Sequence, residues 1–152
     1  MTREYHDLPV SDPSITTIAE WRDAIENYLE EMYGMRLLCE INPITGSRFK
    51  HLDQTFSGSS STIADRKHEA LELGLIEVDV RMSESGYGTH IYYTLTQVGG
   101  HYRKELAKRG LVEVHHRLNP LEQQFKSARS SIDNNGLDLS IDPLELFYSD
   151  HE

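Results

Sequence analysis

Residues 46–96, GSRFKHLDQTFSGSSSTIADRKHEALELGLIEVDVRMSESGYGTHIYYTLT, decide how this chain folds. Phe49, Leu52 and Phe56 stand three and four apart, which puts them on one face of a two-turn helix that Ser47 is placed to cap. Ser57-Gly58-Ser59 breaks that helix as a tight turn between two helices. Ser60 or Ser61 then caps a longer helix running to about Leu73, with Ile63, Lys67, Ala70 and Leu71 toward the body. Lys67 is expected to bury its stem and keep its ammonium at the edge. Ser61, Thr62, Asp65, Arg66, His68 and Glu69 fall on the outward side. Gly74 stops the helix, and Leu75 to Met82 alternates apolar and polar residues, the pattern of a half-buried strand. Ser83 to Gly88 reads as a glycine-bearing loop and Thr89 to Thr94 as a β-branched and aromatic return strand, so a hairpin closes the segment.

Working outward, Met1 to Thr16 has two prolines and little periodicity and reads as an extended or partly disordered arm. Ile18, Trp21, Ile25, Tyr28, Leu29 and Met32 recur at helical spacing, with Thr17 as N-cap and Glu20 as its capping-box partner, in a helix ending near Gly34. Met35 to Ile41 forms a further short helix, stopped by Asn42-Pro43. Val98 to Arg109 reads as a helix whose Tyr102 and Leu106, with the Trp21 stripe, suit either a helical dimer interface or packing within one chain. Beyond Gly110 a short helix over Pro120 to Ser130 is expected, then a turn at Asn134-Asn135-Gly136. An apolar cluster interleaved with acids follows, formed by Leu137, Leu139, Ile141, Leu144, Leu146, Phe147 and Tyr148. The expected organisation is an arm over residues 1–16, one domain over 17–109 and an acidic extension over 110–152. The fold class is mainly α with a small β-hairpin, a chain of 152 residues being long enough for one modest core.

The net charge of −10 is unevenly spread. Residues 1–33 hold eight acids and two bases, residues 110–152 eight acids and three bases, and residues 34–109 nine acids and ten bases. The middle can therefore present a local basic face, built from Arg48, Lys50, Arg66, Lys67 and Arg81, despite the acidic whole. Only five of the fifteen bases are lysine, a balance typical of salt-adapted proteins. The single Cys39 lies in an apolar setting and reads as a small core residue in a reducing compartment. With no long apolar run, the chain is expected to be soluble and cytoplasmic, with no membrane partner.

Helix, tight turn, helix and hairpin, in that order, are the parts with which a winged helix-turn-helix offers one helix and one ribbon to a DNA duplex. Hydroxyls at the start of the second helix suit base edges and phosphates, and the helix N-terminus attracts phosphate. The hairpin would lie along the minor groove or backbone. Double-stranded DNA is thus the expected partner, with Arg48, Lys50, Ser60, Ser61, Thr62, Arg66, Lys67, Arg81 and His90 as contacts. Three motifs carry a family resemblance. Gly46-Ser47-Arg48-Phe49-Lys50-His51-Leu52 resembles the "G-x-RF-x-x-L" opening of the second helix in HxlR, PadR, MarR and ArsR-type winged-helix regulators. Leu73-Gly74-Leu75-Ile76-Glu77 resembles their step from recognition helix to wing, and Tyr93-Thr94-Leu95-Thr96-Gln97-Val98-Gly99 resembles their "Y-x-LT-x-x-G" exit. The resemblance covers Met35 to Gly100 and implies a dimeric transcriptional regulator with the helix over residues 60–73 in the major groove and the wing over 77–95 beside it. The alternative is a winged-helix protein-interaction module, for which the acidic tail and low positive charge argue.

No metal, cofactor or catalytic site is expected. His101, His115 and His116 stand near a possible interface, but adjacent histidines do not readily chelate one ion from the same helix face, and no CxxC or HxxxH spacing supports them. No GxSxG, phosphate loop or informative Cys and His pair is present, and the acids are scattered through amphipathic helices, so the chain does not read as an enzyme.

Overall fold

The computed structural model describes residues 8–56, 60–135 and 142–149. It is mainly helical, with a small antiparallel sheet. The elements in chain order are α1 (Ile18–Glu30), α2 (Gly34–Glu40), β1 (Ser47–Arg48), α3 (Phe49–Thr55), α4 (Ser60–Glu72), β2 (Ile76–Met82), β3 (Thr89–Leu95), α5 (Gln97–Lys108), α6 (Leu111–Asn135) and α7 (Pro143–Ser149). The chain divides into two units, one through Asn119 and one from Pro120.

In the first unit the core draws on every helix. Ile25 and Tyr28 of α1, Leu37 and Leu38 of α2, Leu52 of α3, Ile63 and Ala70 of α4, and Leu106 of α5 are buried together with Leu75, Ile76 and Tyr93. The predicted cap of α1 is present: Thr17 Oγ1 accepts the Glu20 amide at 3.1 Å and donates to the Glu20 carboxylate at 3.1 Å. Because Ile25 and Tyr28 are consumed by the core, and Trp21 donates its Nε1–H to the Leu73 carbonyl at 2.8 Å, the Trp21 stripe packs within the chain. Tyr102 and Leu106 do the same. The arm is not loose where it is described: the Ser11 amide donates to the Glu72 carbonyl at 2.8 Å, and Ile15 packs on the core.

The sheet corrects the expected hairpin in one respect. β2 and β3 pair in the register Ile76↔Leu95 to Met82↔Thr89, but β1 adds a third strand on the far edge of β3, giving the order β1-β3-β2. Ser47 therefore does not cap α3. It faces Tyr93 across the ladder, and its Oγ accepts the Asn42 amide at 3.0 Å. Gly46 makes this possible: at φ +75° it turns the chain into the sheet, and a Cβ there would lie 2.8 Å from the Tyr93 carbonyl oxygen. A two-residue strand is too short to leave a period-two signal.

The turn after α4 seats directly on α5. Thr96 caps α5 by accepting the Gly99 amide at 3.0 Å, and its hydroxyl donates to the Gly74 carbonyl at 2.6 Å. Gly74, at φ +72°, ends α4 in a conformation that disfavours a side chain, with the Pro9 carbonyl oxygen occupying the space of a Cβ. Leu73-Gly74-Leu75 and Leu95-Thr96-Gln97-Val98-Gly99 are thus two halves of one junction.

The helix expected over Pro120 to Ser130 is part of α6, which begins at Leu111 because nothing between Gly110 and Pro120 breaks it. Pro120 lies inside α6 and brings no N–H, so the His116 carbonyl loses its helical donor there. In the second unit Leu121 and Phe125 of α6 are exposed, as are Leu144 and Tyr148 of α7. The Asp142 carboxylate caps α7 by accepting the Leu144 amide at 2.9 Å. Of the turn read at Asn134-Asn135-Gly136, Asn134 and Asn135 are instead the last residues of α6, while Gly136, with Leu137, Leu139 and Ile141, lies outside the described residues. Among the described residues no helix is long and apolar enough to cross a membrane.

Candidate nucleic-acid interface

The residues read from sequence as contacts separate into two sets. Arg48, Arg81 and His90 come together on one face of the sheet. Register pairs Arg48 with Tyr92 and Arg81 with His90, and the period of two puts Tyr92 and His90 on the same side. The Arg48 Nη2 donates to His90 Nδ1 at 2.9 Å, so that nitrogen is the acceptor of a neutral ring. Arg81 lies over the Tyr92 ring with its guanidinium carbon 4.1 Å from the centroid, and its Nε donates to Asp79 at 2.8 Å. Lys50 is exposed in the first turn of α3 beside them. Ser61 is exposed and Thr62 half-buried at the start of α4.

Arg66 and Lys67 belong to the other set, and both correct the sequence reading. Lys67 does not keep its ammonium at the surface: the side chain is 3% exposed, and Nζ donates to Asp53 of α3 at 2.6 Å while lying 3.3 Å from the centroid of the Phe49 ring. Arg66, 17% exposed, is clamped between Glu31 of the α1–α2 connection and Glu69, at 2.7 Å from the latter. Both cations hold helices together and have little reach to a ligand. The outward side of α4 is left with Ser61, Asp65 and His68, the last paired to Glu72 at 3.0 Å. The Ser57-Gly58-Ser59 turn lies outside the described residues, as does the side chain of Ser60.

Sequence reasoning missed a partly buried polar network between α2, α3 and α6. Glu40 accepts from His115 Nε2 on Oε2 at 2.7 Å and from His51 Nε2 on Oε1 at 2.9 Å. Arg36 Nε donates to His115 Nδ1 at 3.0 Å, and Arg36 Nη2 to Asn119 Oδ1 at 2.7 Å. His116, next in the chain, brings its ring centroid within 5.4 Å of that of His115. Glu40, His51 and His115 are too far apart in sequence for any local spacing to announce them. Burial, the largest influence on Glu40, pushes its carboxyl up. The hydrogen bonds from His115 and His51 and the electrostatic pull of the same rings outweigh it and hold the group below the ordinary carboxylate range. A lowered folded value stabilises the fold above the ordinary pKa of the unfolded chain, and the stabilisation is lost as pH falls through the folded value. Circular dichroism during acidification from about pH 5 to about pH 3 should therefore show Glu40→Gln losing less stability than wild type over that interval. Parallel acid limbs would remove this role from Glu40.

Cys39 is no nucleophile: burial chiefly pushes its thiol up to about 11, so it stays protonated at neutral pH. Comparisons of the chain with protein-family models, with curated proteins and with solved structures find no match.

Proposed function

We propose that α2 through β3 form a winged helix-turn-helix and that the protein is a sequence-specific DNA-binding transcriptional regulator, a homodimer that represses by occluding a promoter. The single observation carrying this reading is the element order helix, short strand, helix, helix, hairpin with sheet order β1-β3-β2. In that arrangement α4 is the recognition helix and the β2–β3 hairpin the wing. The contact set is narrower than sequence alone gave: Ser61 and Thr62 at the start of α4, Lys50 on α3, and Arg48, Arg81 and His90 on the sheet. Few outward cations mean a shallow dependence on salt, because each phosphate neutralised contributes about one to the slope of log K against log salt.

The partner copy is proposed to pair through α6. Val114 and Leu118, four apart in sequence on α6, are both exposed and offer it an apolar edge. Two recognition helices about one duplex turn apart would then read a pseudo-palindrome.

Selection of bound DNA from a random pool, followed by gel shifts on the recovered site, tests the reading. Arg48→Glu with Lys50→Glu should weaken binding by at least about tenfold and lower the salt slope by about 2. Leu118→Asp should give monomer in sedimentation and lose the palindromic footprint. No enriched site, or binding indifferent to Arg48 and Lys50, would sink the regulator reading. The second reading, a winged-helix protein-interaction module, is favoured by the exposed Asp65 and by the engagement of Arg66 and Lys67 in ion pairs. A chain that selects no DNA while remaining folded supports it.

A further inference from the structure

We propose that Glu40, His115 and His116 bind one divalent transition-metal ion, with Zn2+ the best match. One ligand atom from each of the three lies within 4.8 Å of the others, a spread that small side-chain rotations can close onto a single ion. Two imidazole nitrogens and a carboxylate oxygen form the donor set of open tetrahedral zinc sites, and the borderline softness of imidazole selects Zn2+, Co2+ or Ni2+ over Mg2+ or Ca2+. His51 already holds the other oxygen of the same carboxylate at 2.9 Å. Two elements contribute ligands, α2 giving Glu40 and α6 both histidines, while His51 of α3 orients the carboxylate. His115 is 2% exposed and the Glu40 side chain 10%, which makes the site rigid on one side, while His116 is exposed and leaves a path from solvent.

The protons balance without loss from the ring. In the arrangement described, Arg36 donates to His115 Nδ1, so Nε2 carries the hydrogen shared with Glu40. A metal on Nε2 takes the place of that hydrogen, the ring's one proton moves to Nδ1, and Nδ1 changes from acceptor to donor. Arg36, which can only donate, must then leave Nδ1. The adjacency of His115 and His116, which argued against chelation from sequence, is overcome because the third ligand arrives from α2.

The inference is independent of DNA binding. Isothermal titration of the tag-free, chelator-treated full chain with ZnCl2 should give one site with a Kd on the order of 1 μM or tighter. Co2+ in place of Zn2+ should give the visible absorption of tetrahedral coordination. His116→Ala removes an exposed ring and should leave the fold intact while weakening Zn2+ by roughly 10- to 100-fold or more, the range that even outer partners of metal ligands command. Glu40→Gln should do the same, and His101→Ala, away from the cluster, should change nothing. No saturable Zn2+ binding, or a site unaffected by His116→Ala, would overturn the assignment and leave the cluster a structural hydrogen-bond network.

Discussion

Gly99→Val is expected to be the most damaging single substitution in the chain, costing upwards of about 3 kcal/mol. A Cβ on Gly99 would lie 1.8 Å from the Leu75 carbonyl oxygen and 2.8 Å from its carbon. Both are backbone atoms, held by the Thr96 amide and hydroxyl, so no flexible side chain can yield. Accommodation requires α5 to lift off the α4–β2 turn, which undoes the Thr96 cap and loosens Leu106 from the core. Native domains have only about 5 to 15 kcal/mol in hand, so this loss should lower the melting temperature by about 10 °C or prevent folding. The adjacent Gly100 is the internal control. Nothing lies within 4 Å of its would-be Cβ, and it sits in helix α5, so Gly100→Ala should stabilise by about 0.5–1 kcal/mol. Urea unfolding of the two variants should move the midpoint in opposite directions. Equal, small shifts would mean that the packing of α5 on Leu75 is not as described.

Asp53→Ala should be the next most costly, at about 2–3 kcal/mol. It removes the carboxylate that holds Lys67 Nζ at 2.6 Å and leaves an ammonium that is 3% exposed facing the Phe49 and Tyr93 rings. Lys67→Met should cost less. Its unbranched chain fills the same channel, keeps contact with Phe49 and Tyr93, and leaves Asp53, whose side chain is 30% exposed, to water. The diagnostic is therefore the order of the two variants in urea unfolding. If Lys67→Met proved the more destabilising, the pair would be contributing net stability of its own. If Asp53→Ala were neutral, the ammonium would have to reach solvent by some other route. The same pair explains why Lys67 is left out of the proposed DNA contacts.

Most of the element order was legible in the sequence. Thr17 capping α1, the apolar set Ile63 and Ala70 on α4 and Gly74 ending that helix are local patterns, and local patterns survive without knowledge of the fold. The alternation of β2 announced a strand, but Val78, Val80 and Met82, read as its buried face, are exposed. The length of α6 was less legible, because Pro120 looks like a start when read in isolation and is tolerated inside the helix when the residues before it are already helical. β1 was invisible: two residues pair with β3 only because Gly46 turns them there. The candidate contacts were half legible. Arg48, Arg81 and His90 meet because strand register brings them together, whereas Arg66 and Lys67 looked like surface cations because the acids that capture them, Glu31 and Asp53, come from other helices.

From sequence alone came the periodicities, caps and breaks, since these depend on residues a few positions apart and on the conformations that glycine, proline and hydroxyl side chains favour. The partners of the charged groups were decided only in three dimensions. Whether a cation faces water, an acid or an aromatic ring depends on which helices cross beside it. Glu40 thus meets His115 across seventy-five positions of chain through the packing of α2 on α6, an encounter no local spacing encodes.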